Sequence, residues 1–178
     1  MSNKILVIFL TLLAMGAVTG AWRQVRAAKR VSQVFGSLQV RESLNAAEGV
    51  TARRLHRREG RPHGSVKLDD YTQDDSIPVE LSQARVIKSL LQDPSSYDWQ
   101  TGSSKSCVLN YGVLLSFQTP QRTVRVALCL DCLFLGVYDG TNDNVAPVGS
   151  AEFDPARKKF VDLAKSIFPK DAAIQAIR

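Results

Sequence analysis

The rhythm of apolar and polar positions divides the chain. Ile5 to Trp22 is an uncharged, largely apolar run of 18 residues. As a helix it would extend about 27 Å at 1.5 Å per residue, just enough to cross a hydrocarbon core. From Arg23 to Ala47 the residues Val25, Ala28, Val31, Phe35 and Leu38 recur at spacings of three and four, the stripe of an amphipathic helix. Thr51 to Gly64 is basic, and Leu68 to Ser76 is acidic; together they read as a charged linker. A second helical stripe, Leu81, Ala84, Ile87 and Leu91, widened by Val86 and Leu90, follows Ser76 as cap and Pro78 in the first turn, and ends at Asp93-Pro94.

The pattern then shifts to a period of two. Val113, Leu115 and Phe117 alternate before a turn at Thr119 to Arg122. Val124, Val126, Leu128 and Leu130 share one face of the next run, with Arg125, Ala127, Cys129 and Asp131 on the other. Leu133 to Tyr138 is apolar on both faces, as in a doubly covered strand. Arg122 to Tyr138 therefore reads as the centre of the sheet. Asp139 to Asn144 is a turn, and Val145 to Phe153 has room for a further strand. Asp154-Pro155 opens a helix with Phe160, Leu163, Ala164 and Ile167 on its inner side; Pro169 stops it, and Asp171 to Ile177 has room for a last short helix. The expected fold class is α+β: an N-terminal transmembrane or signal helix, then a small antiparallel sheet flanked by two helices. The expected organisation is a signal-anchor or signal peptide over 1–22, an amphipathic juxtamembrane helix over 23–47, a charged linker over 48–76 and a globular domain over 77–178.

Charge sharpens this division. The net charge of +6 is concentrated in residues 1–63, where 11 Lys/Arg face only Glu42, Glu48 and Glu59. The remainder is slightly acidic, so the basic balance does not describe the expected domain and gives no ground for nucleic-acid binding. Thr51 to Gly64 has the charge for such binding but no interleaved aromatic residue for base stacking. Near the apolar run, Lys4 with small residues at Val18 to Ala21 fits a cleaved signal peptide. Trp22 and the helical pattern beyond it fit an uncleaved anchor. Arg23, Arg26, Lys29 and Arg30 favour a cytoplasmic C-terminal side, against export. Self-association of the 23–47 helix and its apposition to anionic lipid are both open.

Cys107, Gly112, Val113, Phe117, the run from Thr123 through Cys129 to Cys132, then Phe153-Asp154-Pro155-Ala156-Arg157 and Phe168-Pro169 resemble a group of small, uncharacterised bacterial envelope proteins. That group pairs a cysteine-bearing strand with a terminal helix opened by an F-D-P-A-R motif. The resemblance covers residues 105–169 and implies an envelope location behind a signal segment; it implies no activity. The chain departs from that pattern at Leu130, where Phe is usual, and in its longer Asp139 to Asn144 turn. No cysteine ends the apolar run, so lipid attachment of the lipoprotein kind is not expected.

Candidate chemistry rests on Cys107, Cys129 and Cys132. An odd count leaves one thiol over if a disulfide forms. Within a continuous strand Cys129 and Cys132 would lie about 10 Å apart and point to opposite faces, too far for a bond. If Thr119 to Arg122 is the hairpin turn, Gly112 faces Cys129 and Leu109 faces Cys132, which leaves Cys107 a two-residue slip from Cys132. A bond there would close a loop of about 25 residues and stabilise by about 3 kcal/mol. Buried free thiols and a metal or redox role remain alternatives. Zinc would need His56 or His63 from the linker. The Asp139 to Ser150 stretch lacks the glycine and the final glutamate of a calcium loop. Hydrolase, metalloprotease and phosphate-loop motifs are missing from the sequence.

The expectation is a membrane-tethered or exported, non-catalytic binding or structural domain, slightly favoured on the extracytoplasmic side. The alternative is a thiol redox or metal-binding envelope protein using Cys107, Cys129 and Cys132. No cofactor, catalytic residue or metal site is expected. The expected partners are the membrane, through Ile5 to Trp22, and an unidentified protein.

Overall fold

The structure, a computed structural model, describes residues 22, 25–62, 64–99 and 107–177. Apart from Trp22, the apolar run lies outside the described residues, as does His63. Among the described residues no helix is long and apolar enough to cross a membrane. The fold is α+β, built on one seven-stranded antiparallel sheet.

In chain order, α1 covers residues 25–34 and α2 Leu38–Ala46. Strand β1 (Gly49–Arg57), β2 (Tyr71–Gln73) and β3 (Ile77–Pro78) precede α3 (Leu81–Gln92). Then come β4 (Val113–Gln118), β5 (Thr123–Cys129), β6 (Phe134–Asp139), β7 (Gly149–Glu152), α4 (Arg157–Ile167) and the short α5 (Ala172–Gln175). The sheet order is β2-β1-β4-β5-β6-β7, with β3 beside β2 on the same edge of β1. Between Gln73 and Ile77 the register against β1 slips by one residue, a bulge that bends this edge.

Two apolar layers follow from the alternation of side chains along each strand. On one face Val50, Ala52, Val113, Leu115, Phe117, Val124, Val126, Leu128, Leu135 and Val137 share a core with buried residues of α1 to α4 and the α1–α2 break, including Val31, Phe35, Leu44, Ile87, Leu91 and Phe160. On the other, Leu55, Tyr71, Tyr111, Leu114, Ala127, Cys129 and Tyr138 pack with Leu68 and Cys132 beneath loops rather than helices. Both faces of β5 are thus covered, and its buried Arg125 is held by Asp143 and by the Asn142 carbonyl at 2.9 Å. The Asp139 to Asn144 turn accordingly spends its carboxylates on arginines: Asp139 pairs with Arg122 at 3.1 Å, Asp143 with Arg125.

Several expectations need correction. Residues 48–76 are not a linker, because β1 lies inside the sheet, hydrogen-bonded to β4 from Gly49 to Arg54. Two of its arginines are engaged, Arg53 donating to Gln73 at 3.2 Å and Arg54 to Asp171 at 2.5 Å, and just past its end Arg58 donates to the Tyr71 carbonyl at 3.3 Å. The folded unit therefore starts well before Ile77. Ile77–Pro78 is strand rather than a helix start; α3 begins at Leu81, behind a Glu80/Gln83 capping box, and leaves Leu81 and Val86 exposed. Residues 23–47 are not one juxtamembrane helix either. The described part breaks at Phe35–Ser37, where Ser37 caps α2. Val31, Val34, Phe35, Val40 and Leu44 are buried in the core while Val25 and Leu38 stay exposed. More helices than the expected two flank the sheet.

The α1–α2 elbow sits on the edge of the sheet with backbone in contact. A Cβ at Gly36, whose φ is +71, would lie 2.2 Å from the Val148 carbonyl oxygen, and one at Gly149 would lie 2.1 Å from that of Val34. Side chains at either position would force the N-terminal helices off β7.

Candidate functional site

The decisive local feature is the end of β5. Arg122 to Tyr138 is a hairpin, not one strand. Cys129 is the last residue of β5 and pairs with Phe134, the first of β6, and Leu130 to Leu133 forms the turn. Leu133 completes it with φ of +58, a left-handed conformation that costs a branched residue about 1–2 kcal/mol. The turn folds Cys132 back, so that its backbone N–H donates to the Cys129 sulfur at 3.3 Å. This corrects the expected separation of the two cysteines on opposite strand faces.

The β4–β5 hairpin keeps the register the sequence implied, with Val113 opposite Leu128 and Gln118 opposite Thr123. Its continuation carries residues 107–112 past the turn, and Cys107 and Cys132 form a disulfide with Cα atoms 5.7 Å apart. Cys129 is the free cysteine, fully buried. Its sulfur also accepts from the Asn110 N–H at 3.4 Å. Burial pushes the Cys129 thiol up, and the two N–H donors only partly counter this. All three candidate cysteines thus meet at one end of the sheet, two bonded and one enclosed.

Around Cys129 stand three buried tyrosines that sequence reading passed over. Tyr71 and Tyr111 have ring centroids 5.8 Å apart, and Tyr111 and Tyr138 have theirs 6.4 Å apart. Tyr71 donates to the Ser65 carbonyl at 3.2 Å and accepts from the Tyr111 N–H at 3.3 Å; Tyr138 donates to the Val66 carbonyl. The buried Tyr111 hydroxyl, beside that of Tyr138, makes no well-formed hydrogen bond. Burial pushes Tyr111 up to about 12 and raises Tyr71 and Tyr138 as well. At neutral pH the layer is a set of neutral phenols, which suits packing.

Outside this layer lies a cleft of ≈ 590 Å³, lined by Arg54, His56, Arg57, Asn110, Gly112, Asp131, Ala173 of α5 and Ala176 just beyond it. Arg54 forms its floor: the guanidinium pairs with Asp171 and donates to the Gly112 carbonyl. Asp171 also caps α5 by accepting the Ile174 N–H at 2.9 Å. Burial pushes its carboxyl up, but the Ile174 N–H and Arg54 outweigh that and hold it below its ordinary value. His56 stands at the rim, 3.2 Å from Asp74. The cleft and the sulfurs share walls, since Asn110 faces the cleft and donates to Cys129, while Asp131 lies between the two hairpin cysteines.

With Cys107 and Cys132 bonded to each other, Cys129 is the one cysteine with a free sulfur to offer a metal. Elsewhere, Asp98, Glu152 and Asp154 bring carboxylates within 4.8 Å of one another, and each already has an interaction partner. No family model, curated protein or solved structure matches this chain. The fold and site define an α+β domain whose sheet end is braced by a disulfide and carries a polar cleft.

Proposed function

We propose that this chain is a membrane-tethered or exported domain of the bacterial cell envelope that acts by binding a partner rather than by turnover. The observation carrying the proposal is the Cys107–Cys132 disulfide, which ties the wall of the cleft to the hairpin turn. Structural disulfides persist in oxidising compartments. The uncharged run Ile5 to Trp22 and the cysteine-bearing pattern that resembles small envelope proteins support the same location.

The test is to alkylate all accessible and denaturant-exposed thiols in cells at the moment of lysis. One labelled cysteine of three is expected. Three labelled cysteines would mean a reducing compartment and would remove the proposal. Sequencing the mature N-terminus then separates cleaved signal from anchor.

A second reading, thiol redox chemistry through Cys107, Cys129 and Cys132, is favoured by the turn that brings Cys132 against the Cys129 sulfur. A native protein with a readily titrated, low-pKa thiol would move the assignment to it.

A further inference from the structure

We propose that Cys129 is the resident attacking thiol of an internal thiol–disulfide exchange that moves the disulfide from Cys107–Cys132 to Cys129–Cys132 and exposes Cys107 as a surface thiol. Three observations carry it. First, the Cys132 N–H lies 3.3 Å from the Cys129 sulfur. An N–Cα bond of about 1.46 Å then keeps the Cys132 Cα within about 4.8 Å of that sulfur, so the turn sets the two cysteines side by side. Second, two backbone N–H groups, from Asn110 and Cys132, point at the Cys129 sulfur. They supply hydrogen bonds that a thiolate accepts, in a layer built of apolar and phenolic side chains. Third, the two ends of the present bond differ in setting: Cys132 is buried next to Cys129, whereas Cys107 is exposed.

The step is redox-neutral. The Cys129 thiol, enclosed in the resting fold, loses its proton to water or hydroxide during local opening of the turn, and the thiolate attacks the Cys132 sulfur. The Cys129–Cys132 bond forms as the Cys107–Cys132 bond breaks. The electron pair stays on the Cys107 sulfur, which takes a proton from water. Burial of Cys129 keeps the thiolate scarce at neutral pH and makes the exchange slow. Once released, Cys107 can attack an accessible disulfide of another molecule, forming a mixed disulfide and expelling that molecule's thiolate.

The inference rests on the oxidised state proposed above, but the two fail separately. Either pairing leaves one free thiol of three, so the cell-labelling experiment is blind to the exchange.

The test uses the full, oxidised chain held at pH 6 to 9, quenched with acid, unfolded, blocked with N-ethylmaleimide at low pH and mapped by mass spectrometry. At pH 6 the label is expected on Cys129. At higher pH it should migrate to Cys107 as a Cys129–Cys132 crosslink accumulates. The rate should rise about tenfold per pH unit below the thiol pKa and be independent of protein concentration. In Cys129→Ser, Cys107 should stay unlabelled at every pH. Cys107→Ser, refolded under oxidation, should form Cys129–Cys132 with the wild-type circular dichroism spectrum; this measurement decides the geometry even if Cys129→Ser fails to fold. Label confined to Cys129 up to pH 9, a concentration-dependent rate, equal Cys107 labelling in Cys129→Ser, or two free thiols in Cys107→Ser would each overturn the proposal.

Discussion

Breaking the Cys107–Cys132 bond should cost this fold a calculable part of its stability. The bond closes 25 residues. If it acts by restricting the unfolded chain, that length corresponds to about 3.5 kcal/mol at 25 °C. Cys107 is exposed, so Cys107→Ser removes the link with little packing loss. The variant must be kept in reductant so that Cys129 and Cys132 cannot pair. Equilibrium urea unfolding of oxidised wild type against this variant should show the difference as a lower midpoint. In thermal unfolding it should appear as a Tm drop of about 7–14 °C for a chain of this size. Wild type in reductant should unfold like Cys107→Ser, which checks that the link, not the side chain, is responsible. A difference below about 1 kcal/mol would refute the entropic reasoning. It would mean that the β4–β5 hairpin inside the loop already holds the two ends together in the unfolded chain.

The remaining predictions concern the sheet and the cleft. Because β1 lies between β4 and the β2/β3 edge, a fragment of residues 77–178 should lack cooperative unfolding by circular dichroism; a sharp transition would show that β1 is dispensable. At Gly136 a Cβ would lie 2.4 Å from the Tyr111 hydroxyl oxygen, so Gly136→Ala should destabilise by about 1–3 kcal/mol. Tyr111→Phe should be nearly neutral alone, since its hydroxyl is buried without a well-formed bond, and should rescue most of that loss in the double variant; additivity would exclude the clash. Asp171 has a folded pKa below its unfolded value near 3.9. Its stabilising contribution is therefore complete above about pH 4 and fades as pH falls through the lowered folded value. NMR signals of Ile174 should report α5 docked at pH 4 in wild type, with the acid midpoint moving up in Arg54→Met; an unchanged midpoint would sever the link between Arg54 and α5.

The parts of the fold legible in the sequence were those where hydrophobic period and turn chemistry agreed. Thr119 to Arg122 stands between two alternating runs, so its hairpin sets Gly112 opposite Cys129 and Leu109 opposite Cys132, which left Cys107 within a two-residue slip of Cys132 as one of several readings; the structure makes that bond. Strand β1 was hidden for the opposite reason. Its sequence GVTARRLHR places arginines at positions where a strand between two neighbours usually carries apolar side chains. Composition then outweighed the alternation of Val50 and Ala52. Arg53 and Arg54 are tolerated because β1 runs to the end of the sheet, where Gln73, Asp171 and the Gly112 carbonyl meet them. Such partners are distant in sequence and invisible to local reading.

The turn at Leu130 to Leu133 carries the larger lesson, because the candidate site depends on it. Of the residues that mark tight turns the segment LDCL contains only Asp131, and its flanks are apolar enough to read as one long strand. The structure closes the turn with Leu133 in the left-handed region, which local preference opposes. The opposing terms are tertiary. Leu130 is buried in the helix-side core, Cys132 in the tyrosine layer, and the bond to Cys107 holds the turn against the neighbouring segment. Without the turn, Cys129 and Cys132 diverge and the thiol has no bond to attack. With it, a bond that braces the cleft and a thiol able to move that bond occupy the same few residues, so stability and reactivity at this end of the sheet cannot be altered independently.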